Sequence, residues 1–244
     1  MCFSPHVSIS VAIIEFVLAT LILLLFRKSF ISKFMALFIY LLGFYQFTEF
    51  MVCISANPDI WAKLGFITYT FLPAIGLHFI LRISTFKFNK KLNKKLSTTQ
   101  IILLYLLLYT PPVLFSLFSI FTPNFIVETS CNTIFVTIKN LLFNTDNYIK
   151  FTFYWLYYFG FITIATIISL IKYHLEKNKY VKLFYLLGAL GLLIITIPPL
   201  ILIVIFPALN VMYPSIYCKF ALLFAVIAFI LCYLSSVHKI PKMK

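Results

Sequence analysis

Seven apolar runs, each long enough to cross the hydrocarbon core of a bilayer, divide this chain from end to end. They lie near Val7–Phe26, Phe34–Ile54, Trp61–Ile83, Gln100–Phe121, Tyr148–Lys172, Tyr180–Phe206 and Tyr213–Ser236. At about 1.5 Å of rise per residue, roughly 20 helical residues span a ~30 Å core. A soluble domain is roughly half apolar and a quarter charged. This chain of 244 residues is 63% hydrophobic and 11% charged, with a mean hydropathy of +1.05, so its solvent is lipid. The length suits one transmembrane domain over residues 1–244: an all-α bundle of seven transmembrane helices. No segment is polar enough to fold a kinase, nuclease or nucleotide-binding module.

The cations fix the expected orientation. Arg27, Lys28 and Lys33 follow the first run, and Arg82, Lys87, Lys90, Lys91, Lys94 and Lys95 follow the third. Lys172, Lys177, Lys179 and Lys182 follow the fifth, and Lys239, Lys242 and Lys244 follow the seventh. The alternate ends hold only Lys63, Lys139, Lys150 and Lys219. Short cytoplasmic loops collect Lys and Arg, so this alternation predicts an N-terminus outside and a C-terminus in the cytoplasm. The first run has no basic segment before it and two cations after it, which argues against a cleaved signal peptide. The formal net charge of +14 then reflects loops lying against anionic lipid heads rather than a nucleic-acid partner. The expected location is a bacterial inner membrane.

The longest loop, about Thr122–Asn147, falls outside between the fourth and fifth spans. Its mixture of β-branched residues with Asn, Thr and Ser permits a short hairpin or an interfacial helix. Aromatic residues crowd the span ends, notably from Tyr148 to Phe159; they read as an interfacial belt or as an aromatic-lined pocket at the outer mouth. Tyr40-Leu-Leu-Gly43 echoes Tyr185-Leu-Leu-Gly188 at the offset that carries Arg27 onto Lys172, the register of a parallel repeat in some small transporters. Pro73, Pro111-Pro112 and Pro198-Pro199 mark breaks that free backbone carbonyls inside the membrane.

Two carboxylates, Glu15 and Glu49, lie within the spans. An ionisable side chain in a membrane is costly and is a functional candidate by default. Glu15 falls about 12 Å below the outer edge, Gln46 about 12 Å and Glu49 about 8 Å. Gln46 and Glu49 are three apart and share a helix face. If the first two spans are neighbours, Glu15, Gln46 and Glu49 form one polar cluster in the outer half, with Lys219 entering from the seventh span. The plain reading is polar glue between helices; the functional one is a ligand- or proton-binding site, in which two nearby carboxyls push one pKa upward.

The four histidines, His6, His78, His174 and His238, have no metal-site spacing, so a membrane zinc hydrolase is disfavoured. Cys2 and His6, with Glu15 below, make a thin metal candidate. Lys219 is too shallow for a retinal Schiff base, and no carboxylate of the third span offers a counter-ion. No catalytic residue is assigned and no cofactor is expected. Cys2, Cys53, Cys131 and Cys218 all map to the outer, oxidising side, where two disulfides in any of three pairings are possible. They read equally well as small buried apolar residues.

Two resemblances accompany these readings. Met1-Cys-Phe-Ser-Pro, Ser8, Arg27 and Gln46-Phe-Thr-Glu49 resemble a group of small bacterial integral membrane proteins without assigned function, which begin Met-Cys-Phe-Ser and carry Gln-x-x-Glu in the second span. Asn57, Trp61, Leu72-Pro73 and His78-Phe79 look like the seven-helix sensor region that precedes many bacterial histidine kinases. That likeness implies ligand sensing with output to a separate signalling partner at the cytoplasmic face. The sequence thus favours receptor- or sensor-like binding of a small molecule or lipid in an outward-facing pocket at Glu15, Gln46, Glu49 and Lys219. A small transporter and an intramembrane hydrolase are its rivals.

Overall fold

The computed structural model describes residues 5–26, 29–92, 98–131, 136–143, 148–205 and 217–237, without the side chains of 5, 85–92, 98, 143, 148, 195, 198–205 and 217–219. Seven helices fill most of these residues: α1 (Pro5–Phe26), α2 (Phe30–Ile54), α3 (Pro58–Leu92), α4 (Thr98–Phe121), α5 (Tyr148–Leu175), α6 (Lys179–Ile205) and α7 (Tyr217–Val237). Among the described residues, six of them are long and apolar enough to cross a membrane. The other, α6, is 27 residues long. One addition to the all-α expectation is an antiparallel hairpin of β1 (Ile126–Cys131) and β2 (Val136–Asn140), so the long loop takes the first of its two expected forms.

Local sequence sets the helix ends. Ser55 closes α2 in an extended conformation, its hydroxyl accepting from the Asn57 amide at 3.2 Å. Pro58 then opens α3, where a missing amide costs nothing and φ is already helical. Asp59 follows in the first turn, where a negative charge meets the positive end of the helix dipole. At the other end of the bundle, Asn178 Oδ1 accepts from the Tyr180 and Val181 amides and caps α6. The third helix runs to Leu92, past the expected end at Ile83, because nothing in the basic stretch breaks a helix.

Pair contacts show an up-and-down bundle. The Thr20 and Tyr40 hydroxyls meet at 2.7 Å, and Glu15 lies against Gly43, so α1 and α2 are antiparallel. Tyr45 meets Tyr69 while Phe34 meets Phe79, which makes α2 and α3 antiparallel too. Tyr154 packs on Phe66 and the Tyr157 hydroxyl reaches Thr70, so α5 runs parallel to α3. Phe38 against Phe224 brings α7 back beside α2. The third helix is the spine: 72% of its most apolar stretch is buried, against 17% for α4. Consequently Lys33, Arg82, Lys172, Lys177 and Lys182 share one end of the bundle. Lys63, Lys139 and Lys150 share the other with the hairpin.

The Tyr- and Phe-rich start of α5 divides by face. Tyr154, Tyr157 and Tyr158 are buried, whereas Phe153 and Leu156 point out of the bundle. The buried set continues into an aromatic cluster with Phe66, Tyr69, Phe115, Phe118 and Phe125, with ring centroids 4.9–6.5 Å apart. Edge-on and tilted contacts of this kind add to simple area burial. Pro73 removes the amide that would bond the carbonyl of Tyr69. The neighbouring carbonyl of Thr70 accepts from the Tyr157 hydroxyl at 2.6 Å, which ties α5 to α3 beside this break.

Candidate functional site

The site forms where the second and third helices meet under the hairpin. These helices approach closely at Thr48 and Gly65. A Cβ at Gly65 would stand 2.8 Å from Thr48 Oγ1, nearer than carbon and oxygen pack. Thr48 is held in place by donating to the carbonyl of Tyr45 at 2.7 Å. Glycine at 65 is therefore what allows α3 to press its Phe66 and Tyr69 faces toward α2.

Three attachments seat the hairpin over this junction. Asn124 takes a left-handed backbone, φ 51°, which Asn tolerates better than most residues. The turn drives Phe125 fully into the core, 4.9 Å from Phe66 and 5.9 Å from Phe118. Leu142, completely buried, anchors the other end; its amide donates to Asn140 Oδ1 at 3.1 Å. Finally, a disulfide joins Cys131, at the end of β1, to Cys53 in the last turn of α2. Of the three pairings open to the sequence, this one staples the hairpin to the helix that carries Gln46 and Glu49. The Lys139–Glu128 ion pair across the strands, at 2.6 Å, is half-exposed and contributes little.

Beneath the hairpin lies a cavity of about 20 Å³. A water needs roughly 10–15 Å³ by such a measure, so it holds one small guest. Its walls are Tyr45, Thr48, Glu49 and Val52 from α2, and Trp61, Ala62, Gly65, Phe66 and Tyr69 from α3. Ile126, Ile138 and Asn140 of the hairpin form the roof. Glu49 is 2% exposed. Tyr45 and Tyr69 meet edge to face at 5.8 Å, and Phe66 meets Tyr69 at 5.3 Å. The result is a carboxylate set among aromatic rings.

Of the expected site residues, Glu49 is the one that lines this cavity. Glu15 and Gln46 are both completely buried, but neither lines the cavity. Glu15 lies on the α1 face formed by Ser8, Val11, Ala12, Ala19 and Ile22, a spacing of three and four that turns one side of α1 toward the bundle. Gln46 stands one turn from Gly43, the position that receives Glu15. Lys219 and Cys218 fall in the first turn of α7, where side chains are outside the description. Cys2 is likewise outside the described residues. His6 is exposed on α1. Among the described residues, no three His, Cys, Asp or Glu side chains group as metal ligands do.

Some of the lining was not singled out by sequence. Tyr45 precedes Gln46 and Glu49 at spacings of one and four, and Phe66 and Tyr69 sit in an ordinary apolar helix. Their role depends on which faces of α2 and α3 meet. Asn140 carried a weak signal, as a polar residue closing a strand.

Comparison with known proteins finds no matching family model, no similar curated protein and no solved structure that resembles the chain.

Proposed function

We propose that this chain is a seven-span membrane receptor or sensor that takes a small molecule into the cavity at Glu49, with its N-terminus and hairpin outside. The observation that carries the reading is a buried carboxylate in the wall of a cavity roofed by a disulfide-stapled hairpin. Structural polar glue needs no cavity beside it and no covalent roof. An acid inside a membrane is costly and is a functional candidate by default.

Two independent features support the orientation. The cations gather at the end opposite the hairpin, as cytoplasmic loops do. The Cys53–Cys131 disulfide belongs on an oxidising side and lies at the hairpin end. The apolar length of the residues around α6 supports the seventh crossing. Output passes to a partner at the basic, cytoplasmic end, as the resemblance to kinase sensor regions implies.

The test is a thermal-shift screen of the purified protein against small soluble compounds, with Glu49→Gln in parallel. The expected hit raises the midpoint of the native protein and not of Glu49→Gln. Compounds that stabilise both proteins equally would contradict the reading.

A small transporter is the second reading, favoured by another cavity of about 20 Å³ further along the bundle, between Phe38, Gly76, Gly188, Gly191 and Phe224. Uptake of a Glu49-dependent ligand by sealed vesicles, driven by a proton or ion gradient, would select it over a sensor.

A further inference from the structure

The chemistry of the cavity walls restricts its guest. Four aromatic residues, Tyr45, Trp61, Phe66 and Tyr69, are among its lining. An aromatic face is the negative pole of the ring quadrupole and attracts cations. Glu49 adds the acidic group. Thr48 donates its hydroxyl hydrogen to the Tyr45 carbonyl, so what it offers a guest is the oxygen lone pairs. An anion would meet repulsion from Glu49 and find no Lys, Arg or His among the lining residues. A neutral apolar guest would gain nothing from the carboxylate.

Size narrows the choice further. At about 20 Å³, against roughly 10–15 Å³ for a water, the space has room for an ion the size of ammonium or methylammonium. A quaternary ammonium, with methyl groups in every direction, is larger than this space. We propose that the Glu49 cavity binds a small monovalent ammonium-type cation, held by the carboxylate and flanked by the tyrosine, tryptophan and phenylalanine rings. This rests on the reading of the cavity as the ligand site and names the class of ligand it takes.

The probes are the chlorides of sodium, potassium, ammonium, methylammonium and tetramethylammonium, at matched ionic strength, with the thermal midpoint of the intact purified protein as readout. Ammonium and methylammonium are expected to raise the midpoint by about 2–4 °C over sodium, since a ligand of the folded state stabilises by mass action. The shift should vanish in Glu49→Gln and in Ala62→Val, which leaves the acid in place and fills the cavity. Should Glu49→Gln fail to fold, Ala62→Val alone decides. An equal rise with tetramethylammonium, or a rise that persists in the variants, marks a surface salt effect and overturns the proposal. A preference for potassium over ammonium at the same site overturns the ammonium class. Neutral compounds of similar size that act only through Glu49 overturn the cation and leave the ligand site standing. No Glu49-dependent shift by any compound overturns both.

Discussion

Glu49 and Gly65 do opposite things in the same few ångströms. One places a costly acid in the membrane; the other removes a side chain so that α2 and α3 can close around it. Replacing Gly65 by Ala gains about 1 kcal/mol of helix propensity. It also sets a methyl 2.8 Å from Thr48 Oγ1, and overpacking of this kind costs about 1–3 kcal/mol. The expected net effect of Gly65→Ala is therefore destabilisation, relieved when Thr48→Ala removes the clashing oxygen. A double-mutant cycle on thermal midpoints measures the coupling, and additive effects would mean the helices are not in contact there. Tyr157→Phe should cost about 1 kcal/mol, because it strips the carbonyl of Thr70 of its hydroxyl donor beside the Pro73 break. An unchanged midpoint would show that another group supplies that bond. At this scale the sequence was legible where chemistry is rare: two acids in the spans stood out by their cost. It was silent on Tyr45, Phe66 and Tyr69, because one aromatic residue among many acquires a role only when two helix faces meet.

The hairpin is the element that turns a helix junction into a covered cavity. Its composition allowed either a hairpin or an interfacial helix, and local propensity does not choose between them. Phe125 and Leu142, both fully buried, decide it by anchoring the two ends of the segment in the bundle. The disulfide pairing was equally undetermined from spacing, since Cys53 and Cys131 lie 78 residues apart in the chain. Only the seating of the hairpin on the end of α2 brings them together. Replacing both with Ser should lower stability by at most about 2–4 kcal/mol, because helices already held in a bilayer leave less chain entropy for a cross-link to remove. The thermal midpoint reads that loss. On a non-reducing gel of the native protein, the two thiols should resist alkylation until reductant is added; free alkylation without it would exclude the bond.

At the scale of the molecule, the apolar runs carry most of what is needed to build the helices of the bundle. Runs of 20 or more apolar residues leave a helix as the local answer, and short links make neighbours antiparallel. The observed order of helices follows, with α3 at the centre. What the chain does not encode locally is the packing order, such as the meeting of α3 with α5 and of α2 with α7, which depends on side-chain fit between distant segments. The proposed orientation rests on charge, and it predicts that a reporter inserted between α5 and α6, beside Glu176 and Lys177, is active in the cytoplasm. Activity outside would invert the whole arrangement, and with it the side from which the Glu49 cavity is reached.

The most direct measurement is the reaction of an Ala62→Cys thiol with a membrane-impermeant reagent, in intact cells and in inverted vesicles, followed by intact mass. With the hairpin stapled, slow reaction from the outer side alone is expected. In the Cys53→Ser, Cys131→Ser background the same thiol should react markedly faster from that side, because the roof is no longer tied down. Reaction only from the cytoplasmic side would contradict an outward-facing cavity, and a rate indifferent to the disulfide would contradict the hairpin as its cover.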